Sequence, residues 1–132
     1  METIFSKIIR GDIPCYKIAE NDNYFAFLDI NPLAEGHTLV IPKKQTDNIF
    51  DINEAEYAGL FLFAKKIALS IQKNFECKKV GIAVIGLEVA HAHIHLVPIN
   101  SVSDLDFKRE KLKLSDKRFN EIVKKITKDL EL

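Results

Sequence analysis

The segment His91-Ala92-His93-Ile94-His95-Leu96-Val97-Pro98 sets histidines at every second position, with small or aliphatic residues between them. Side chains alternate faces along a β-strand, so this spacing predicts a strand over 91–98 with His91, His93 and His95 on one face and Ala92, Ile94 and Leu96 on the other. The aliphatic face needs a core behind it, which commits the chain to a sheet backed by an apolar layer. On the first face the imidazoles follow at ~6.6 Å per step, and such a row can present several titratable nitrogens to one phosphate-sized group. Two other readings compete with this one, a chance surface row and a metal site. Two histidines at i, i+2 can share a zinc ion, with Asp29 or Glu88 as distant further ligands, but the outer pair of the row is ~13 Å apart at the backbone.

The rest of the chain supplies the partners of this strand. Ile4, Phe5, Ile8 and Ile9 recur at helical spacing before Gly11 and Pro14, which predicts a short amphipathic helix over 3–10. Residues 15–19 and 24–29 are strand-like around the turn formers Glu20 to Asn23, a predicted β-hairpin, and the β-branched run His37 to Ile41, closed by Pro42, predicts a third strand. Asn53 with Glu56 has the form of a capping box. It opens a helix of about five turns whose predicted apolar stripe is Tyr57, Leu60, Phe61, Ala64, Ile67, Ala68, Ile71 and Phe75. Val80 to Ile85 predicts a strand antiparallel to 91–98, with Gly86 to Glu88 as the turn, and Ser115 caps a last helix with Phe119, Ile122, Val123, Ile126 and Leu130 on one side. This order predicts an α+β fold, a five-stranded antiparallel sheet with helices packed on one face.

A length of 132 residues fits a single domain, 1–132. Nineteen Lys+Arg offset nineteen Asp+Glu, so no overall field draws the chain to nucleic acid or to an anionic membrane, and neither is an expected partner. The longest apolar stretches, such as 57–64, fall short of a membrane span, and the N-terminus lacks the pattern of a secretory signal, so a cytoplasmic setting is expected. Cys15 and Cys77 are too few for a disulfide framework or a thiolate metal site and are read as buried, inert thiols.

The triad segment resembles the His-φ-His-φ-His-φ-φ signature of the histidine-triad superfamily, nucleotide hydrolases and transferases acting at a nucleotide α-phosphate. The resemblance extends to Ile4-Phe5-Ser6-Lys7-Ile8-Ile9-Arg10-Gly11-Asp12-Ile13-Pro14, to Ala26-Phe27-Leu28-Asp29-Ile30-Asn31-Pro32 and to Gly36-His37-Thr38-Leu39-Val40-Ile41-Pro42. It covers residues 1–100, the core with the nucleotide site, and leaves 101–132 as a C-terminal extension. The resemblance implies that His93 is the nucleophile, that His95 contacts the phosphate, and that His91 and His37 orient the nucleophile and its proton network. It implies further that Asp29 accepts from the ribose hydroxyls and that Ile4, Phe5, Ile8, Phe27, Ile30 and Leu39 hold the base. Gly86 gives backbone access, and Glu88 stands with it on the loop before the triad. Apolar residues in helices and strands are more often plain core, whereas a carboxylate within Phe25-Ala26-Phe27-Leu28-Asp29-Ile30 needs a partner.

Two departures from the family pattern stand out. Where many bacterial relatives have two zinc-binding cysteines this chain has Thr3 and Ser6, so no metal or other cofactor is expected. The polar Asn-Asn-Gly and Ala-Gly-Gln elements before the triad are replaced by Ala83-Val84-Ile85-Gly86-Leu87-Glu88-Val89-Ala90, with Leu87 in place of the usual Gln. The implied function is hydrolysis of a purine nucleotide phosphoramidate or phosphoanhydride through a nucleotidyl-histidine intermediate. The altered loop keeps a non-catalytic nucleotide-binding or regulatory module as the alternative. A homodimer is also implied, and Leu62, Phe63 and Leu69, off the predicted stripe, are assigned to its interface. The extension has nine Lys+Arg against seven Asp+Glu, too small a margin for a nucleic-acid footprint, and its helix is expected to pack on the domain.

Overall fold

The computed structural model describes residues 2–132. Its elements run α1 (Ile4–Arg10), β1 (Lys17–Glu20), β2 (Tyr24–Leu28), β3 (Thr38–Pro42), α2 (Glu54–Asn74), β4 (Lys79–Ala83), β5 (Ile94–Ile99) and α3 (Asp116–Thr127), with 3-10 turns at Ile49–Asp51 and Val102–Leu105. The strands form one antiparallel five-stranded sheet in the order β1-β2-β3-β5-β4. The crossover between β3 and β4 carries α2, and the last strand in the chain, β5, lies between β3 and β4, which sets the histidine segment beside the central strand β3.

Both faces of this sheet are covered. Tyr24, Ala26, Leu28, Val40, Ile94 and Leu96 face α2 and α3 in the larger core, whereas Phe25, Phe27, Leu39 and Ile41, alternating with them, pack against Phe5 and Ile8 of α1 in a smaller one. The expectation that helices cover one face is thus corrected: α1 lies on the other. Its own sequence explains why it can be so short, because Thr3 and Ser6 form a reciprocal capping box and Gly11 ends it in the left-handed region at φ 83°.

In α2 the side chain of Asn53 accepts from the Glu56 amide, as the cap signal predicts. The buried stripe is Leu60, Phe63, Ala64, Ile67, Ser70 and Ile71, which corrects the placement of Phe63 on a dimer surface. Phe63 is 4% exposed and packs beside the Tyr24 ring, while Leu62 and Leu69 do stand out to solvent. The rotation of the stripe comes from Gly59: a Cβ there would collide with the Tyr24 hydroxyl, which donates to the Glu56 carbonyl at 3.0 Å. A bare backbone at this point lets the tyrosine dock on the helix and turns Phe63 inward.

The last helix packs as expected, with Phe119, Ile122 and Ile126 buried, and Val123 half-buried against the same core. The Ser70 hydroxyl ties α2 to the Ile126 carbonyl, and Arg118 forks onto Glu35. Cys15 and Cys77 are free thiols of intermediate exposure rather than buried, each with its pKa raised by burial.

Candidate active site

Strand β5 starts at Ile94, so His91 and His93 lie before it, which corrects the expectation of a strand spanning 91–98. The chain at 90–92 is held instead by the segment that leaves β3: Ala92 N–H donates to the Thr46 carbonyl (2.7 Å), the Gln45 amide to Ala90 O (3.2 Å) and the His91 ring to Pro42 O (2.7 Å). Alternation survives this change of partner. Ala92, Ile94 and Leu96 enter the larger core, and His95, paired with Leu39 across the sheet, shares the α1 face with the other histidines. The three histidines are each no more than 7% exposed, and the ring centroids of His93 and His95 are 4.9 Å apart.

His37 arrives from β3. Gly36 at φ 98° makes the turn that only glycine takes without strain, and His37 then bonds through its main chain to Ala34 and Asp29. The hydrogen bonds define which ring nitrogens carry protons. Leu33 N–H donates to His37 Nδ1 at 3.0 Å, which requires a lone pair there, so neutral His37 is protonated at Nε2. That Nε2–H donates to His95 Nδ1 at 3.0 Å and leaves neutral His95 with its proton on Nε2. Burial holds both rings neutral, pushing His37 down to about 3, helped by His95 and Lys111, and His95 down to about 4, helped by His93.

The middle histidine has the opposite polarity. A carbonyl can only accept, so the 2.8 Å contact of His93 Nδ1 with His91 O makes Nδ1 the protonated nitrogen and leaves the lone pair on Nε2. By the same logic His91 gives its Nε2–H to Pro42 O; burial lowers its pKa, opposed by that bond. Its Nδ1 is, among the described residues, the one buried side-chain nitrogen or oxygen without a partner, so the free Nε2 atoms of His93 and His95 are open at the surface of the site. A basic nitrogen beside a donor N–H is suited to attack on phosphorus with a hydrogen bond to the phosphoryl oxygen.

Asp29 follows β2, half-buried. Burial raises its pKa, opposed by the Asn31 amide that it accepts at 2.8 Å and by the charges of His93 and Lys111. Its Oδ2 is 3.6 Å from His37 Nε2, whose proton already goes to His95, so this oxygen is free to accept a ligand hydroxyl. Glu88 is exposed on the loop before the triad and acts on Asp29 only through its charge. Gly86, at φ 70°, lies on the same loop beside the Asp47 carbonyl.

The residues assigned to the base divide into two groups. Phe5, Ile8, Phe27 and Leu39 are closed into the smaller core, where the Phe5 ring meets His91 and His93 edge-on at 5.8 and 5.0 Å. Ile4 and Ile30 are 49% and 61% exposed and offer the apolar surface that a ligand can reach. Phe107 and Lys111, from the extension, escaped the sequence reading. Phe107 sits 4.7 Å from the His95 ring and 6.2 Å from His37, and a lone aromatic in the polar run Ser103 to Glu110 is the signal that could have found it.

The donor set at Thr3 and Ser6 does not fit the zinc of cysteine-bearing relatives, since both hydroxyls are engaged in the α1 cap and Ser6 also reaches Gln45. Asp29, His37 and His95 bring three donor atoms within 4.8 Å of one another, but an ion there would have to replace the His37–His95 hydrogen bond.

A family model, described as the HIT domain, matches residues 10–102. The chain belongs to the HIT family. It is 34% identical to an uncharacterized HIT-like protein of Borreliella burgdorferi, over 98% of this chain and 99% of that one. It is 36% identical to a Schizosaccharomyces pombe protein named adenosine 5'-monophosphoramidase hnt1, over 74% of each chain. The fold superposes with a TM-score of 0.85 on a crystal structure of a HIT-like protein from Bartonella henselae, at 30% identity, covering 98% of this chain and 96% of that one. Membership in the HIT family supports a nucleotide hydrolase in general terms, and among the described residues no helix is long and apolar enough to cross a membrane.

Proposed function

We propose that this protein hydrolyses a purine nucleotide conjugate, a phosphoramidate or phosphoanhydride, at its α-phosphate through a covalent adduct on His93. The observation that carries the reading is the bond from His93 Nδ1–H to the His91 carbonyl, which leaves Nε2 as an open nucleophile. The resemblance to a named phosphoramidase is consistent with it. In the first step the Nε2 lone pair forms a bond to phosphorus as the bond to the leaving amine or phosphate breaks, and the leaving group departs with a proton from solvent. The positive charge gained by the ring is stabilised at Nδ1–H by the His91 carbonyl, and His95 Nε2–H donates to a phosphoryl oxygen. Water then attacks phosphorus, the P–N bond breaks, its electron pair returns to Nε2, and a 5'-monophosphate and a proton are released. Asp29 accepts from the ribose hydroxyls, and the base lies on Ile4 and Ile30.

The exposed apolar loop, with Leu87 at 89% where many relatives have Gln, favours a second reading, a nucleotide-binding module without turnover, because Leu87 offers a leaving group no hydrogen bond. Incubation with a panel of adenosine phosphoramidates and dinucleoside polyphosphates separates the two. Release of AMP, unaffected by chelator, supports the hydrolase, whereas AMP binding without turnover across the panel supports the module. A homodimer belongs to the same proposal, with Leu62, Leu69 and the apolar edge at Ile82, Val84 and Ile85 as its exposed surface. A monomer in sedimentation at micromolar concentration would rule it out.

A further inference from the structure

The C-terminal extension reaches the histidines. Leu112 N–H donates to the Pro32 carbonyl at 2.9 Å, and the next residue of that loop, Leu33, gives its amide to His37 Nδ1. Between this anchor and the sheet, Lys111 Nζ closes a tight turn by donating to the carbonyls of Phe107 and Arg109, and Arg109 is itself held by Asp104. The turn presents the Phe107 ring to His95. A row of edge-on rings results, Phe27–Phe5–His93–His95–Phe107, with centroid spacings of 5.5, 5.0, 4.9 and 4.7 Å. One end of the row is the core under α1; the other is this single residue of the extension.

We propose that Phe107 is a positioning residue, seated on the His37–His95 pair so that the two rings stay dry and in the one hydrogen-bonded arrangement that gives His95 an Nε2 proton. The inference deepens the hydrolase reading, since it rests on His95 as the phosphate contact. An aromatic edge on imidazole excludes water at little entropic cost, and the desolvation that keeps His95 uncharged needs a cover on the side that the sheet leaves open. The charged and titratable groups facing the pair are His93 before β5, Asp29 after β2, which acts on His37, and Lys111 from the extension, which acts on His37 and Asp29. Of these, His93 and Lys111 oppose protonation of the pair, and Asp29 lies 3.6 Å from His37 only.

The test is an NMR titration of the labelled His95 ring in the full chain, with kcat and KM for adenosine phosphoramidate measured beside it. In Phe107→Ala the His95 midpoint should rise from about 4 toward the ordinary imidazole value. By the usual size of a desolvation effect the rise should be about one pH unit or more. Loss of a positioning contact should lower kcat by about tenfold while KM changes less than about twofold. Phe107→Trp should restore both. Phe107→Leu, which keeps apolar volume without an aromatic edge, serves if the alanine variant does not fold and should show the same shift in smaller measure. An unchanged His95 midpoint in a folded variant overturns the proposal. Absence of turnover by the wild-type chain would remove the hydrolase reading alone, because the titration decides the seating of His95 without it.

Discussion

The two faces of the sheet divide the work of the molecule. On the face toward α2 and α3 the side chains are aliphatic and aromatic, fully enclosed, and joined into one continuous core. On the face toward α1 a small apolar cluster gives way, within one strand width, to four buried imidazoles. Burial on the first face removes apolar area from water at roughly 25 cal/mol per Å². On the second it keeps the His37 and His95 rings uncharged, which costs stability whenever the solution favours their protonation. Stability therefore resides chiefly on one side of β3 and β5 and chemistry on the other, and substitutions on the two sides should separate cleanly.

The sharpest separation is expected at His93. Replacing it with alanine should lower turnover by about 10^3 or more, since nothing else offers an open nitrogen lone pair at phosphorus. AMP affinity and the melting temperature should change little. The adduct itself can be trapped: an acid-labile nucleotidyl group mapped by mass spectrometry to His91 or His95 instead would move the nucleophile. On the other face, Ile122→Ala should cost about 2–5 kcal/mol in urea unfolding, because the side chain is completely enclosed. Activity per folded molecule should be unchanged, and a large loss of it would show that the two faces are not independent.

His37→Ala should slow turnover by about ten- to a hundredfold, less than His93→Ala, since water can take part of its place behind His95. Asp29→Asn should weaken AMP binding about tenfold, which is ~1.4 kcal/mol, in isothermal calorimetry. Stability should not fall with it, because burial already disfavours the charge there. The remaining prediction concerns stability against pH. His37 and His95 protonate near 6.5 in the unfolded chain but only near 3 and 4 when folded, so below 6.5 the unfolded state binds more protons. Their contribution is complete above 6.5 and is lost progressively as the pH falls through 4 for His95 and toward 3 for His37. His95→Gln should flatten the slope of unfolding free energy between pH 7 and 5.

Much of this was legible along the chain because short-range periodicity reports directly on which face is buried. The elements, their antiparallel pairing, the Asn53 and Ser115 caps and the alternation of Ala92, Ile94 and Leu96 with the histidines all follow from spacing. The rotation of the α2 stripe did not, since it depends on Tyr24 meeting Gly59 across a long stretch of sequence. The late start of β5 at Ile94 did not either, because the segment after β3 takes over the hydrogen bonds of residues 90–92.

Spacing along the chain fixes the strands, the core that backs them and three histidines on one face, because side-chain alternation and turn chemistry act between neighbours, whereas His37 joins them only through the pairing of β3 with β5. The protonation of each imidazole depends on contacts made in three dimensions. The Leu33 amide, the Pro42 carbonyl and the Phe107 ring come from segments remote from the triad, and together with the nearby His91 carbonyl they assign the ring protons of the cluster and its cover. Hydrogen-bond direction is a property of the partner in space, and no spacing along a chain encodes it.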